Sequence, residues 1–483
     1  MGSRTTGRRA AAFAVASFTA LAMLGAVLPA VAAPAPPTIG LLAAQSEISV
    51  TRPPNGPIQV DPGIFVTATG GPFELAVSRD GYADPITISQ VIGSHHVPLP
   101  GDILSGWFGL ARFLHVTVRD DQGNVVKGST ETFCPNSYDP QRFGPGGPDQ
   151  PTFPQFCSSN PFTLGMRWGI DQDWAANLFD FGRLRFRGPD GHYSVTVTIG
   201  DRYVRLFGID PPAATATVGI TVTTRRCAST CGRPDASGHV ASSAPARVPL
   251  IAHPAPNAMP DLVPLPSSGI SPSTRHGHDY LDFGATVWIG GASQLDVEGF
   301  RRPGTNVMDA YQYYYRNGHV VGRSHAGTMV YDNRQGHQHW HFEQFAQYGL
   351  VDVSNHTVVR SHKQGFCIAP TDSVDLLLPH AVQRPDLFGF FQCGTESSIW
   401  VRESLPLGWG DTYYQSVAGQ SFDITDLPNG TYQVEVAVDP QGLLHQTDTT
   451  NDVSLRTVIL GGTPGHRTVC VPAYDGIDQE GDC

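Results

Sequence analysis

The stretch "GHQHWHFEQFAQYGL", residues 336–350, carries His337, His339 and His341 at alternating positions. On an extended strand, residues two apart leave the same side of the sheet. The three imidazoles would therefore share one face, with Gln338 and Trp340 on the other. Three nitrogen donors on one short rigid segment make a preformed site for a metal of borderline softness. Imidazole suits copper, zinc, iron and nickel alike, so the ligands alone do not choose the metal. A second His-x-His, His276 and His278 in "TRHGHDYLDF", is interrupted by Gly277 and follows a Ser/Pro/Thr run. It reads as a surface loop rather than a site. His95 and His96 in "GSHHVPL" are adjacent and on a strand would face opposite ways.

The elements that must position such a site are strands. Apolar and polar residues alternate in "FELAVSRD", "FLHVTVRD", "HYSVTVTIG", "VGITVTT" and "TYQVEVAVD", with β-branched residues in most of them. Period-two alternation of this kind predicts strands with one buried face. Asn317-Gly318 inside "YQYYYRNGHVVG" predicts a hairpin turn. With 53 Gly and 40 Pro, turns are frequent, and no long segment has helical period. The fold class is all-β.

The chain of 483 residues is long enough for more than one core. Residues 228–258, rich in Pro, Ala and Ser and without periodicity, read as a linker. Two β-sandwich-like domains follow from that boundary: an N-terminal β domain over 40–227, read as an accessory or recognition unit, and a C-terminal one over 259–483. The net charge is −12, from 31 basic and 43 acidic residues, and no basic stretch lies beyond the N-terminus. That argues against nucleic acid as a partner.

Residues 1–33 have Arg4, Arg8 and Arg9 before an apolar run and then small residues, the pattern of a bacterial-style signal peptide. The pair Arg8–Arg9 keeps twin-arginine export open beside the ordinary secretory route. No later run of about 20 apolar residues predicts a membrane span, so the expected location is extracellular. The 8 cysteines fit disulfides in an exported chain. Proximity pairs Cys134 with Cys157, Cys227 with Cys231, Cys367 with Cys393 and Cys470 with Cys483. The first pair would hold the Pro-rich loop "PNSYDPQRFGPGGPDQPTFPQF".

Beyond the histidines the chain reads "HQHWHFEQFAQYGLVDVSNHTVVRSHKQGFCIAPTDSVDL", then "GDTYYQSVAGQSFDITDLPNGTYQVEVAVDP" and "TDTTNDVS". The ordered set resembles the catalytic domain of the lysyl oxidase family. Its copper strand is His-x-His-x-His, followed by an aromatic segment, by His-Lys-x-x-Phe-Cys and by Asp-x-Tyr. Upstream, "MPDLVPLP" and "DYLDFGATVWIGGASQLDVEGF" look like the family's first strands. The resemblance covers about residues 259–475.

The resemblance implies roles residue by residue. His337, His339 and His341 would bind copper, and Lys363 and Tyr413 would form lysine tyrosylquinone, a cofactor made from the two side chains. A quinone carbonyl is an electrophile that no ordinary side chain supplies. A primary amine, of protein lysine or of a small molecule, would attack it, and a base would remove the proton on the carbon next to nitrogen. Aldehyde, ammonia and hydrogen peroxide would leave, with molecular oxygen as oxidant. The family also implies calcium, at Asp261, the Leu262 carbonyl, Asp448, Asn451 and Asp452.

This sequence departs from the animal members at three places. Gly336 stands where they have a Cys, Gln347 where they have a His, and Gln446 where they have a Glu. The general base is therefore open, with Asp411 and His362 as candidates by proximity to the cofactor residues. The functional expectation is a secreted copper-dependent amine oxidase. The alternatives are a non-catalytic metal-binding extracellular β-sandwich protein and, from the histidines alone, a cupin-like metalloenzyme.

Overall fold

The computed structural model describes residues 36–54, 56–179, 184–224, 248–334, 338–361, 363, 365–385, 393–396, 398–481 and 483. The expected signal peptide, most of the expected linker, Cys227, Cys231, His337 and His362 lie outside the described residues. Regular structure is almost all strand; the one α-helix among the described residues, Asp201–Leu206, is six residues long.

The alternating segments form the strands expected of them. In Phe73–Ser78, Phe73, Leu75 and Val77 are buried and the intervening residues are not. Gly191–Ile199 and Gly430–Val438 repeat the pattern. In the N-terminal half, Gly191–Ile199 lies between Thr215–Thr224 and Leu110–Asp120 in a five-stranded sheet. The expected hairpin joins Val307–Arg316 to His319–Asp332, with Asn317 and Gly318 both at positive φ, as a type I′ turn requires. The expected loop at His276 is a tighter feature. Strands Ser268–Arg275 and His278–Gly291 pair up to Arg275 opposite His278, so His276 and Gly277 are the two turn residues. His278 Nδ1 lies 2.9 Å from Asp423 Oδ2.

Three sheets of the C-terminal half matter for the site. One runs Pro260–Pro264, His278–Gly291, Trp409–Tyr413, Asp372–Ser373. The second runs Gly365–Phe366, His339–Glu343, His319–Asp332, Val307–Arg316, Leu295–Arg301, Trp400–Leu405. The third contains Ala346–Asp352 beside Gly430–Val438. Their inner faces meet in a core holding Trp340, Trp409, Phe342, Tyr348 and Phe366, each at most 2% exposed.

The two halves of the chain are joined by hydrogen bonds. Ser158 Oγ donates to the Ser373 carbonyl at 2.9 Å, and Arg384 donates to the carbonyls of Ser137 and Phe153. Gly165 bridges to Asp375 in the parallel sense. Disulfides link Cys134–Cys157, Cys367–Cys393 and Cys470–Cys483, three of the four proximity pairs. The first closes the Pro-rich loop, within which Gln141–Arg142 adds to the edge of Trp174–Asn177.

Candidate functional site

His339 and His341 lie on the strand His339–Glu343, held on one side by His319–Asp332 and on the other by Gly365–Phe366. Trp340 and Phe342 point into the core at 0% and 1% exposure, which commits His339, His341 and Glu343 to the opposite face. The two histidine Nε2 atoms are 2.9 Å apart and the rings are nearly perpendicular, at 82°. Two nitrogens bound to one metal at about 2.0 Å each adopt such a separation, so the pair fits a shared cation. Asp332 Oδ2 lies 3.7 Å from His341 Nδ1. Hydrogen bonds from Arg334 hold the Asp332 carboxyl well below the usual carboxylate range. The third expected imidazole, His337, is outside the described residues. Among those described, no group of three His, Cys, Asp or Glu side chains is arranged to hold a metal ion.

Lys363 and Tyr413 come together from separate elements. Tyr413 ends the strand Trp409–Tyr413, opposite Ala285. Its hydroxyl donates to the Cys367 carbonyl at 3.0 Å and accepts the Cys367 N–H at 2.9 Å. Phe366 packs edge-on against its ring. Lys363 is 8% exposed, with Nζ 4.0 Å from the Tyr413 ring centroid. The Ser361 hydroxyl accepts the Lys363 N–H and donates to the Gly419 carbonyl. Gly419 has φ +88°, and a Cβ there would sit 3.0 Å from Lys363 Cβ. Glycine at 419 thus leaves the lysine room to lie against the ring.

The electrostatics favour neutral forms. Burial pushes the Lys363 ammonium down to about 8, opposed by the charge of Asp411. Desolvation also drives Tyr413, Tyr348, Asp411 and Glu403 well above their ordinary values. Asp411 lies two residues before Tyr413 and is 3% exposed. Its Oδ2 is buried with no hydrogen-bond partner among the described residues. A buried carboxyl oxygen without a partner is costly in a purely structural role. Glu403 accepts the Ile368 N–H at 2.9 Å, beside the Cys367 backbone that holds Tyr413. A cleft of about 600 Å³ opens onto His341, Lys363, Asp332, Arg334, Glu343 and Gly419.

The expected calcium residues also converge, but with an amide among them. Asp261 accepts from the Asn451 amide at 3.1 Å and from the Asp448 N–H at 3.2 Å. Gln446 accepts the Leu262 N–H and donates to Asp452. Burial and the charges of Asp261 and Asp448 push the Asp452 carboxyl up. Gln347, the other departure, neighbours the core-facing Tyr348 on Ala346–Asp352, so it leaves the strand on the opposite side.

Several site residues escaped the sequence reading. Glu343 was legible, since it extends the alternation of the histidines by one step. Asp332 and Glu403 were not, because strand register and sheet order bring them to the site.

Comparison with known proteins finds similarity to one family over part of the chain. Residues 312–470 match the family model described as lysyl oxidase. The chain is 31% identical over 122 residues to protein-lysine 6-oxidase of Gallus gallus, covering 24% of this chain and 25% of that one. It is 29% identical over 140 residues to lysyl oxidase homolog 4 of Mus musculus, covering 29% and 17%. Over a further 140-residue alignment it is 26% identical to lysyl oxidase homolog 2 of Bos taurus, covering 29% and 16%. The matched region is thus a quarter or less of these relatives' length. The family-model match, residues 312–470, contains His339, His341, Lys363, Asp411 and Tyr413 and excludes Asp261.

Proposed function

We propose that this chain is a copper-dependent amine oxidase of lysyl oxidase type, converting primary amines to aldehydes with release of ammonia and hydrogen peroxide. One observation carries the reading: the Lys363 amine lies 4.0 Å from the ring centroid of Tyr413, inside a family match that also holds the facing His339 and His341. Copper would be held by His339 and His341, with His337 as the third ligand. Bound there, it would supply the oxidising chemistry that turns the Tyr413 ring into a quinone.

The side chains supply the rest. Joining Lys363 to the ring needs an amine with a free lone pair, and desolvation lowers the cost of losing its proton. The Cys367 backbone and the Phe366 edge fix the phenol while the amine approaches. Asp411, buried on the same strand, is the group we assign as base toward the substrate's α-proton. Its Oδ2, buried and without a hydrogen-bond partner among the described residues, is the oxygen that would take the proton. Glu343, on the histidine face of its strand and lining the cleft, attracts the substrate ammonium before it loses its proton. Calcium at Asp261, the Leu262 carbonyl, Asp448, Asn451 and Asp452 is the lesser part of the reading, with Gln446 lowering the charge available to it.

Protein lysine or a small amine is the substrate class, and oxygen the oxidant. Export is part of the proposal, supported by the three disulfides. No helix among the described residues is long and apolar enough to cross a membrane. Copper-loaded, aerobically matured protein should oxidise primary amines and be blocked by a carbonyl-trapping hydrazine. Full turnover by Lys363→Ala or Tyr413→Phe would refute the cofactor assignment. Copper binding with no turnover of any primary amine would favour a non-catalytic metal-binding protein.

A further inference from the structure

Tyr413 is gripped from behind. Thr412 and Tyr414 flank it in the chain, Tyr414 bonded to the carboxylate of Asp372 and Thr412 to the hydroxyl of Thr286. The Tyr414 hydroxyl donates to Asp372 Oδ2 at 3.1 Å. Asp372 is 2% exposed, on a short strand that pairs with Trp409–Tyr413 at Gly410. Anchoring the residues on either side of Tyr413, Tyr414 on Asp372 and Thr412 on Thr286, restricts backbone rotation there, and so restricts the direction of the ring.

The other members of this network come from far away in sequence. Ser159 Oγ donates to Asp372 Oδ1 at 3.2 Å. Asn160 Nδ2 donates to Thr286 Oγ1 at 3.1 Å, and Thr286 Oγ1 is 2.8 Å from Thr412 Oγ1. Asn160 is 4% exposed, and its Oδ1 accepts the Phe162 N–H at 2.9 Å, which fixes the orientation of its amide. Ser159 and Asn160 belong to the N-terminal half, in which the sequence shows no catalytic constellation.

We infer that the N-terminal half is the positioning partner of the tyrosine strand: Ser159, through Asp372, and Asn160, through Thr286, complete a clamp on Tyr414 and Thr412 that holds the Tyr413 ring against Lys363. Both are positioning residues, acting through Asp372 and Thr412. The inference rests on the proposed function for its consequence, cofactor formation, but not for its geometry. Joining an amine to a ring depends on holding the two in a productive orientation, and small displacements are expensive. A clamp that spans both halves makes cofactor formation conditional on their being docked.

The test compares the full-length wild type with Ser159→Ala/Asn160→Ala and with Ser159→Thr, which keeps the hydroxyl. Two quantities are read: the rate at which folded, copper-loaded protein forms the Lys363–Tyr413 crosslink, by peptide mass, and the ¹⁹F spectrum of 3-fluorotyrosine placed at position 413 in copper-free protein. The double variant should keep its disulfides and crosslink roughly fivefold or more slowly, at least the effect of losing one of the two clamp hydrogen bonds that Ser159 and Asn160 donate. Its ¹⁹F line should broaden or split, and Ser159→Thr should match wild type. A merely structural role would lower the amount of folded protein without changing either reading within the folded pool. Wild-type crosslinking rate and ¹⁹F line in the double variant would overturn the inference. A wild type that never crosslinks would refute the proposed function, and the ¹⁹F spectra alone would then decide the positioning. Should the double variant fail to fold, Ser159→Ala at the exposed end of the clamp is read in its place, against the same outcomes.

Discussion

The lowered proton affinity of Lys363 makes a quantitative prediction about cofactor formation. Burial takes its pKa from 10.5 to about 8. At pH 7 about one lysine in ten is then neutral, against about one in three thousand for an ordinary lysine, a gain of about 300-fold in the reactive form. The perturbation is pH itself. Protein loaded with copper at pH 7 without oxygen is mixed with oxygenated buffer between pH 6 and 10, and the crosslinked peptide is quantified over time by mass. Between pH 6 and 8 the rate should rise about 50-fold, and from pH 8 to 10 it should gain only about twofold more. An exposed lysine would give the opposite profile, climbing about 80-fold from pH 8 to 10. A continued climb to pH 10, or a flat profile from pH 6, would refute the argument that desolvation prepares Lys363.

The same shift acts on stability. Folded Lys363 releases its proton below the unfolded value, so the fold gains stability as pH rises from about 8 to 10.5, while below 8 a penalty on the order of 3 kcal/mol stands in full. Copper-free Lys363→Met should therefore melt above wild type at pH 7 and lose that advantage by pH 10.5; a difference independent of pH contradicts the assignment. Gly419→Ala, at φ +88° and against Lys363 Cβ, should cost about 1–2 kcal/mol in denaturant unfolding and slow crosslinking; wild-type values for both would show that the glycine is dispensable. His341→Ala should lose copper on dialysis, read by metal analysis, and form no crosslink, whereas retained stoichiometric copper would place the metal elsewhere. Asp411→Asn should still form the cofactor but turn amines over roughly 100-fold or more slowly, and unchanged turnover would remove Asp411 as the base.

What the sequence revealed of this molecule follows how far each signal reaches along the chain. Alternation is local, so the strands Phe73–Ser78 and Gly430–Val438, and the shared face of His339 and His341, were readable directly. Asn317-Gly318 was readable because its turn chemistry resides in two adjacent residues. His276-Gly277 misled only in degree: the polar run before it suggested a loose loop, while cross-strand pairing up to Arg275 and His278 tightens it into a two-residue turn. Lys363 and Tyr413 were picked out by resemblance, not by pattern, since a lone lysine and a lone tyrosine carry no signal. Their approach to 4.0 Å depends on three sheets meeting. The least legible feature was the hydrogen-bonded contact between the two halves. Ser159 and Asn160 lie in a Cys-Ser-Ser-Asn-Pro turn with no periodicity, and only the fold brings them to Asp372 and Thr412.

The central claim is that Lys363 and Tyr413 become one cofactor. The most direct test is the mass of the peptides containing them, from protein expressed with copper and matured in air. One crosslinked species is expected, heavier than the two peptides together by one oxygen and lighter by four hydrogens, absent when copper is withheld and absent in Lys363→Ala. Two separate, unmodified peptides from copper-loaded, oxygen-exposed protein would contradict it.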